Sequence, residues 1–172
     1  GSQSVAATAR AAMNRSVSGQ RGGQGPAIVG ALPTHSGHSP MAYFEHEIRI
    51  RTTPDAAWDA LRDVGQLHTR LVAGFVVACE WDGKTRHLRF ANGLSVAERI
   101  VAVSEAHRRV SWSAQSERLA HHNASAQVLA GDEPSSCRVR WCVDLLPDAM
   151  APAIETMVLA GLQAMRQTLE GR

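Results

Sequence analysis

The carboxy-terminal segment constrains the fold most strongly, because it carries the pattern of one long amphipathic helix. Over residues 148–170, apolar residues recur at steps of three and four positions, as on one face of an α-helix. Pro152 in the first turns and Gly171 after the last are typical of helix ends. A helix of roughly six turns with so wide an apolar face must bury it, and a twisted sheet can curve around it. The apolar face consists of Ile154, Met157, Val158, Gly161, Leu162, Met165 and Leu169.

One strand and two short helices are predicted ahead of the main run of strands. Within residues 44–51, every second residue from Phe44 onward belongs to an inward-facing set, and the residues between them are charged. This alternation is typical of a strand with one solvent-exposed face. Thr53 and Pro54 then predict the start of a helix, since the hydroxyl can cap a free N–H group and proline has none to lose. Residues 64–68 predict a second short helix or turn.

Six further strands follow, joined by short turns. The strongest turn signal is Asn92-Gly93, a dipeptide typical of two-residue hairpins. Strands joined so closely form an antiparallel meander, and the first strand is available to complete the sheet. We therefore predict an α+β fold in which a seven-stranded, curved antiparallel sheet wraps around the long final helix. The six segments are residues 75–81, 86–91, 95–104, 109–116, 123–129 and 137–145.

Charge and cysteine content exclude several classes of function. The 172 residues carry 18 basic and 16 acidic side chains, and residues 1–40 contain three arginines and no acid. Residues 41–172 are thus nearly neutral, without the basic excess that nucleic-acid binding requires. No apolar run reaches the length of a membrane span. The three cysteines show no disulfide or zinc spacing and predict reduced thiols in a cytoplasmic protein.

Residues 1–40 differ in composition from the rest. They hold seven of the fourteen glycines and no aromatic residue, so they can bury little apolar surface. We interpret them as a flexible tail or a cloning-derived segment, with an organellar transit peptide as the alternative. Residues 41–172 are expected to form a single domain.

Glu98 is the most informative polar residue of the predicted sheet. It interrupts an apolar strand, sharing one face with Val96, Ile100 and Ala102 while Arg99 lies on the other. Either Glu98 or Arg99 must point inward, and the pattern alone does not say which. An inward carboxylate in apolar surroundings could act as an acid or base. The alternatives are a solvent-facing glutamate or one paired with a nearby arginine.

The order of elements resembles the helix-grip fold of the START-like superfamily. This group includes polyketide cyclase/dehydrase and lipid-transport proteins, Bet v 1-type allergens and the plant abscisic-acid receptors. The similar segments are I-R-T-T-P-D-A-A-W-D-A-L, the central G-L-S-V-A-E-R-I-V-A-V-S-E-A-H-R-R-V-S-W-S, and C-R-V-R-W-C-V-D-L-L-P before the last helix. The resemblance covers residues 43–171 and implies an internal cavity for a small hydrophobic molecule.

The resemblance also implies site residues. The loop at residues 92–96, with Leu94, matches the gate over the receptors' pocket, and Glu98 matches a pocket glutamate. Two departures argue against a hormone receptor: the gate lacks its proline, and Arg118 lies in a loop that lacks the receptors' histidine. His122 matches a ligand-contacting tyrosine. His121, its neighbour in the strand, must face the other way.

These considerations yield candidate residues and three hypotheses. The candidate catalytic residues are Glu98, His122 and His46, although a lone inward histidine such as His46 is more often structural. The first hypothesis is a protein that binds a small hydrophobic, polyketide-like molecule and cyclises or dehydrates it without metal or organic cofactor. The second is a non-catalytic carrier or sensor, and the third is a ligand-free interaction domain. A monomer or homodimer is expected. The candidate ligand-binding residues are Trp112, Leu94, Arg118, Ala124, Trp141, Val158 and Leu162.

Overall fold

The structure is a computed structural model that describes residues 41–171, so the expectations for residues 1–40 lie outside the described residues. The predicted succession of one strand, two short helices, six strands and a long helix is confirmed. The elements are β1 (Ala42–Ile50), α1 (Pro54–Arg62), α2 (Leu67–Arg70), β2 (Val76–Trp81), β3 (Thr85–Phe90), β4 (Ser95–Ser104), β5 (Arg109–Gln115), β6 (His121–Ala130), β7 (Cys137–Leu146), a 3-10 turn (Asp148–Met150) and α3 (Ala151–Glu170).

The seven strands form one open antiparallel sheet in the order β1-β7-β6-β5-β4-β3-β2. The first strand pairs with the last, with Ala42 opposite Leu145 and Ile50 opposite Cys137. The other strands follow the chain as a meander. Helix α3 packs against β1 and β7, so the apolar face predicted for it is buried against the sheet.

Turn residues explain why the strands reverse where they do. Asp82 Oδ1 accepts hydrogen bonds from the backbone N–H groups of Lys84 and Thr85, at 2.8 and 2.7 Å, and so closes the β2–β3 turn. Gly93 has a φ of +86°, a conformation that favours glycine, and Asn92 Oδ1 accepts from the N–H of Leu94 at 3.0 Å. These local interactions set the register of both hairpins.

The start of α1 also follows the prediction. Thr53 Oγ1 accepts a hydrogen bond from the N–H of Ala56 at 3.2 Å, and Pro54 is the first helical residue. The long helix begins three residues later than the pattern indicates, because Asp148–Met150 form a 3-10 turn before α3. Helix α2 begins at Leu67, which lies within the segment where a short helix or turn is expected.

Strand β4 departs from simple alternation. Ile100 lies opposite Trp112, whereas Ala102 lies opposite Ser111, so one extra residue is accommodated between them as a β-bulge. The bulge moves Ala102 to the outer face of the sheet, where it borders a polar groove. The expectation that Ala102 shares the face of Glu98 is therefore wrong, because a bulge reverses the facing of every later residue in the strand.

The described cysteines are free thiols, and no helix within residues 41–171 is both long and apolar enough to cross a membrane. Cys137 is buried on the inner side of β7, and Cys142 lies near Glu45 on the outer side. Their five-residue spacing along one strand accounts for the opposite facing.

Candidate ligand-binding site

A cavity of about 380 Å³ lies between α3 and the inner face of the sheet. Its walls are mainly apolar, and its polar residues include Glu98 from β4 and His122 from β6. Its volume falls within the range of about 300–1,000 Å³ that is typical of small-molecule sites. A second groove of about 450 Å³ on the outer face of the sheet has a more polar lining, with Glu45, Arg109 and Arg140 among its residues.

The strand register turns Glu98, rather than Arg99, toward the interior. Glu98 is 8% exposed, whereas Arg99 is exposed on the other face. Arg86 lies directly opposite Glu98 in the β3–β4 pair, and its Nε donates to Glu98 Oε2 at 2.7 Å. Arg86 is itself only 5% exposed. The pair compensates two charges that could not be buried singly.

The Arg86 guanidinium also lies over an aromatic ring. Its Cζ is 5.0 Å from the centroid of Trp112, within the distance at which a cation is attracted to the face of an indole. The guanidinium is therefore held by Glu98 on one side and by Trp112 on the other. Glu98 Oε1 has no hydrogen-bond partner within residues 41–171, which leaves one oxygen of this oriented carboxylate free.

His122 is held in one tautomer by the neighbouring strand. The backbone N–H of Ala114 donates to His122 Nδ1 at 3.0 Å, so Nδ1 is an acceptor and the ring proton of the neutral imidazole is on Nε2. Ser113 adds a second link, because its hydroxyl donates to the carbonyl oxygen of His122 at 2.6 Å. His122 thus lines the cavity as a neutral ring that carries a donor at Nε2.

Burial keeps His122 neutral. The side chain is 8% exposed, and desolvation lowers the pKa of its imidazole below the ordinary value, while the nearby charge of Glu98 acts in the opposite direction. His121, the next residue, is exposed on the outer face, as strand alternation requires. At neutral pH the cavity accordingly contains a hydrogen-bond donor in His122 and an acceptor in Glu98.

Two tryptophans form an aromatic wall. The rings of Trp112 on β5 and Trp141 on β7 meet edge to face, with centroids 5.4 Å apart. On the side of α3, a Cβ atom at Gly161 would lie 2.9 Å from Trp141 Cζ3, so only glycine lets the helix approach the indole this closely. The packing of Trp141 between the sheet and α3 fixes its ring.

Most predicted site residues line this one cavity. Glu98 and His122 border it, together with the predicted ligand-binding residues Leu94, Trp112, Arg118, Ala124, Trp141 and Val158. Leu94 is 47% exposed, which places it at the opening. The lining thus draws on the loop after β3, on strands β4 to β7 and on α3.

The structure places two predicted residues elsewhere. His46 Nε2 is 2.7 Å from Glu155 Oε1, so this histidine joins β1 to α3 and does not line the cavity. Leu162 is 3% exposed in the main core rather than on the cavity wall. Both face inward as their periodicity predicts, but facing inward does not by itself bring a residue to the cavity.

Several residues of the site were not predicted from the sequence. Arg86 is the most important of them, and Phe75 and Phe90 add a second edge-to-face aromatic pair with centroids 5.2 Å apart. A signal for Arg86 was present, because it shares the face of the buried Leu88 in β3. Strand alternation places both inward, and an inward arginine requires an acid nearby.

The described residues contain no group of three histidine, cysteine, aspartate or glutamate side chains that could hold a metal ion. Glu98 and His122 together supply two such side chains, and Arg86 already occupies one oxygen of Glu98. Within its apolar walls the cavity offers a guest a hydrogen-bond acceptor at Glu98 and a donor at His122.

Comparison with known proteins agrees with the fold. Residues 41–170 match the family described as polyketide cyclase / dehydrase and lipid transport. No curated protein sequence matches the chain.

Among solved structures, XoxI from Bacillus cereus is similar, with a TM-score of 0.66 and 20% identity over 74% of this chain and 95% of that one. Truncated norcoclaurine synthase from Thalictrum flavum has a TM-score of 0.60 and 15% identity over 74% of this chain and 92% of the other. The di-domain ARO/CYC protein BexL of the BE-7585A biosynthetic pathway has a TM-score of 0.64 and 16% identity, over 75% of this chain and 46% of BexL. At these identities the likeness concerns the fold.

Proposed function

The chain belongs to the polyketide cyclase / dehydrase and lipid transport family, and from this we propose that it binds a small, largely apolar molecule between α3 and the sheet. The observation that carries the proposal is the cavity of about 380 Å³, whose apolar walls contain an unpaired carboxylate oxygen of Glu98. An apolar space with a few placed polar groups is the usual composition of a small-molecule site.

The energetics favour an occupant that is mostly hydrocarbon. Apolar surface removed from water contributes about 25 cal/mol per Å², so a flat molecule buried between Trp112, Phe90 and α3 gains most of its affinity from contact area. The polar groups then decide its orientation. Glu98 Oε1 can accept from a hydroxyl, and His122 Nε2 can donate to a carbonyl.

Two single variants at adjacent positions of α3 test the proposal. Val158 lines the cavity and is 3% exposed, whereas Leu159 is 45% exposed and is not part of the wall. Val158→Phe fills the cavity and should reduce the affinity for apolar ligands at least tenfold. Leu159→Phe makes a comparable change outside the cavity and should leave the affinity unchanged.

Native mass spectrometry of the wild-type chain, followed by equilibrium dialysis with a panel of polycyclic aromatic compounds, provides the measurement. Thermal unfolding of both variants controls for loss of fold. A wild-type chain that binds none of the panel and carries no small molecule, or equal affinities for the two variants, would contradict the proposal. Either result would favour the ligand-free interaction domain.

The presence of an acceptor, Glu98, and a donor, His122, in the lining of one cavity also favours a catalytic role. In this second proposal, Glu98 Oε1 takes a proton from a methylene between two carbonyls, and His122 Nε2–H stabilises the enolate oxygen. The enolate carbon attacks a second carbonyl of the folded chain, and the resulting alkoxide receives the proton from Glu98. Dehydration follows when a further α-proton and the hydroxyl leave as water.

The variant Glu98→Gln separates an enzyme from a carrier. Glutamine keeps the size of the side chain and can still accept from Arg86, but it cannot take up the substrate proton. Because it also leaves the Arg86 charge uncompensated, thermal unfolding must first show that the variant is folded. We expect turnover of a linear poly-β-ketone to fall at least a hundredfold with Kd changed less than threefold. A carrier would show no turnover in the wild type either.

A further inference from the structure

We propose that Arg86 is a ligand-binding residue as well as the partner of Glu98, and that the terminal N–H groups of its guanidinium bind a carbonyl oxygen at one end of the ligand. The cavity then selects flat, apolar molecules that end in a neutral carbonyl group. This inference rests on the proposed binding function and adds to it the chemical class of the ligand and a specificity-determining residue.

The main support is a buried guanidinium with unused donors. Arg86 is 5% exposed, and its Nε donates to Glu98 Oε2 at 2.7 Å. The N–H groups on Nη1 and Nη2 have no hydrogen-bond acceptor within residues 41–171. Buried polar groups are normally paired, so these donors favour a molecule that brings an acceptor.

Nη1 and Nη2 of Arg86 are accessible from inside the protein. In the part of the chain that the structure describes, the unpartnered side-chain nitrogens without accessible surface are His68 Nδ1 and Trp141 Nε1, and those of Arg86 are not among them. Arg86 borders a small inner chamber of about 40 Å³. Because a water-sized atom needs roughly 10–15 Å³ of such space, the chamber can hold a small polar group.

The inner chamber adjoins the ligand cavity. Glu98 and Trp112 border both spaces, as do Phe75, Phe90 and Trp141. Glu98 and Trp112 also fix the guanidinium, whose Cζ lies 5.0 Å from the centroid of the indole ring. The chamber is too small for a ring, so a ligand can place only a terminal group in it while its apolar body fills the cavity of about 380 Å³.

The charges favour a neutral carbonyl over a carboxylate. Glu98 already compensates the charge of Arg86, so an acid would bring a second carboxylate to one guanidinium and lose its own hydration. A carbonyl oxygen accepts from an Nη–H group without adding charge. A hydrocarbon end displaces water from the same donors and cannot replace its hydrogen bonds, which lowers the affinity.

Two ligands of the same shape isolate the contribution of the donors. 2-Acetylnaphthalene and 2-isopropenylnaphthalene differ only in that the C=O group of the first is C=CH₂ in the second. The Kd of each is measured by equilibrium dialysis for the wild type, for the double variant with Arg86→Met and Glu98→Met, and for the control Arg89→Met on the exposed face of β3. The double variant removes the donors without leaving a buried charge unpaired, and thermal unfolding checks that it is folded.

We expect the ratio of the hydrocarbon Kd to the ketone Kd to fall about tenfold in the double variant, the size of one hydrogen bond to a charged donor. The control at Arg89 should leave this ratio unchanged, because that side chain is exposed and lies outside both spaces.

A second measurement does not depend on the double variant. Arg86→Lys keeps a positive charge for Glu98, but its ammonium lacks the planar fork of Nη groups. The carbonyl carbon of ¹³C-labelled 2-acetylnaphthalene should resonate downfield of its position in hexane when the ketone is bound to the wild type, as expected for a hydrogen-bonded carbonyl. In Arg86→Lys the signal should move back toward that position.

The outcomes distinguish this inference from the proposal beneath it. If both compounds bind and neither the Kd ratio nor the carbonyl signal changes in the Arg86 variants, the inference is wrong while the binding function stands. A ratio that persists in the double variant but is lost in His122→Leu assigns the carbonyl to His122, with the same consequence. Tighter binding of 2-naphthoate than of 2-acetylnaphthalene to the wild type would overturn the ligand class. If none of these compounds binds the wild type, the proposed function and the inference fail together.

Discussion

Removal of either partner of the buried Arg86–Glu98 pair should cost much stability, although replacement of both partners together should cost little. The side chains are 6% and 11% exposed, and the hydrogen bond between them measures 2.7 Å. Replacing one partner leaves the other as an unpaired charge in a low-dielectric interior, which typically costs about 3–5 kcal/mol. Replacing both by apolar residues of similar size is often neutral.

The experiment is a double-mutant cycle with Arg86→Met, Glu98→Met and the double variant. With a urea m-value of roughly 1.5 kcal/mol/M, each single variant should lower the unfolding midpoint by about 2 M or more. The double variant should lie within about 1.5 kcal/mol of the wild type, so single losses of about 3 kcal/mol or more give a coupling free energy of at least about 4.5 kcal/mol.

The ion pair between Arg49 and Asp132 provides the control. These side chains are 54% and 78% exposed and 3.3 Å apart. Because water screens such a pair, its coupling should stay below about 1 kcal/mol. If the cycle at Arg86 and Glu98 gives a value as small as this control, the pair is hydrated, and the oriented, desolvated carboxylate on which the site depends does not exist.

Two further predictions concern His122 and Gly161. Burial lowers the pKa of His122 in the folded chain. As pH falls below about 6.5, this histidine is therefore protonated in the unfolded chain before it is protonated in the folded one. Proton uptake then favours the unfolded state, and the free energy of unfolding should decrease by up to about 1.4 kcal/mol per pH unit. Urea unfolding from pH 8 to pH 5 should show a weaker decrease in His122→Gln, and parallel curves for the two proteins would refute this. At Gly161, alanine is the better helix former, but its Cβ would lie 2.9 Å from Trp141 Cζ3. Gly161→Ala should therefore lower stability by about 1–2 kcal/mol and alter the near-ultraviolet circular dichroism of the tryptophans; a stabilised variant with an unchanged spectrum would contradict it.

The sequence predicted the elements well because each depends on neighbours along the chain. The Asn92-Gly93 turn, the Thr53 cap and the apolar stripe of α3 are all local, and each appears where its pattern indicates. The error in β4 came from a feature that is not local. Residues 95–104 alternate evenly enough to hide the bulge after Ile100, because a bulge depends on the partner strand β5.

The candidate site was predicted in part. Alternation limited the choice to Glu98 or Arg99, and resemblance to a known fold favoured Glu98 and His122. The same reasoning included His46, whose inward position on β1 is correct. Its neighbour Glu155 lies 109 residues away on α3, and no periodicity within β1 could show that the two would meet.

The sequence by itself determined which segments are strands and helices and, except in β4, which face of each is buried, since side-chain periodicity follows from backbone geometry alone. Only the tertiary structure decided what each inward polar group meets: Glu98 is paired with Arg86, His122 accepts from Ala114, and Trp141 Nε1 has no acceptor in the described chain. These outcomes depend on strand register and on the distance between α3 and the sheet. Both are set by the packing of residues far apart in the chain, because the free energy of a buried polar group depends on its partners rather than on its neighbours in sequence.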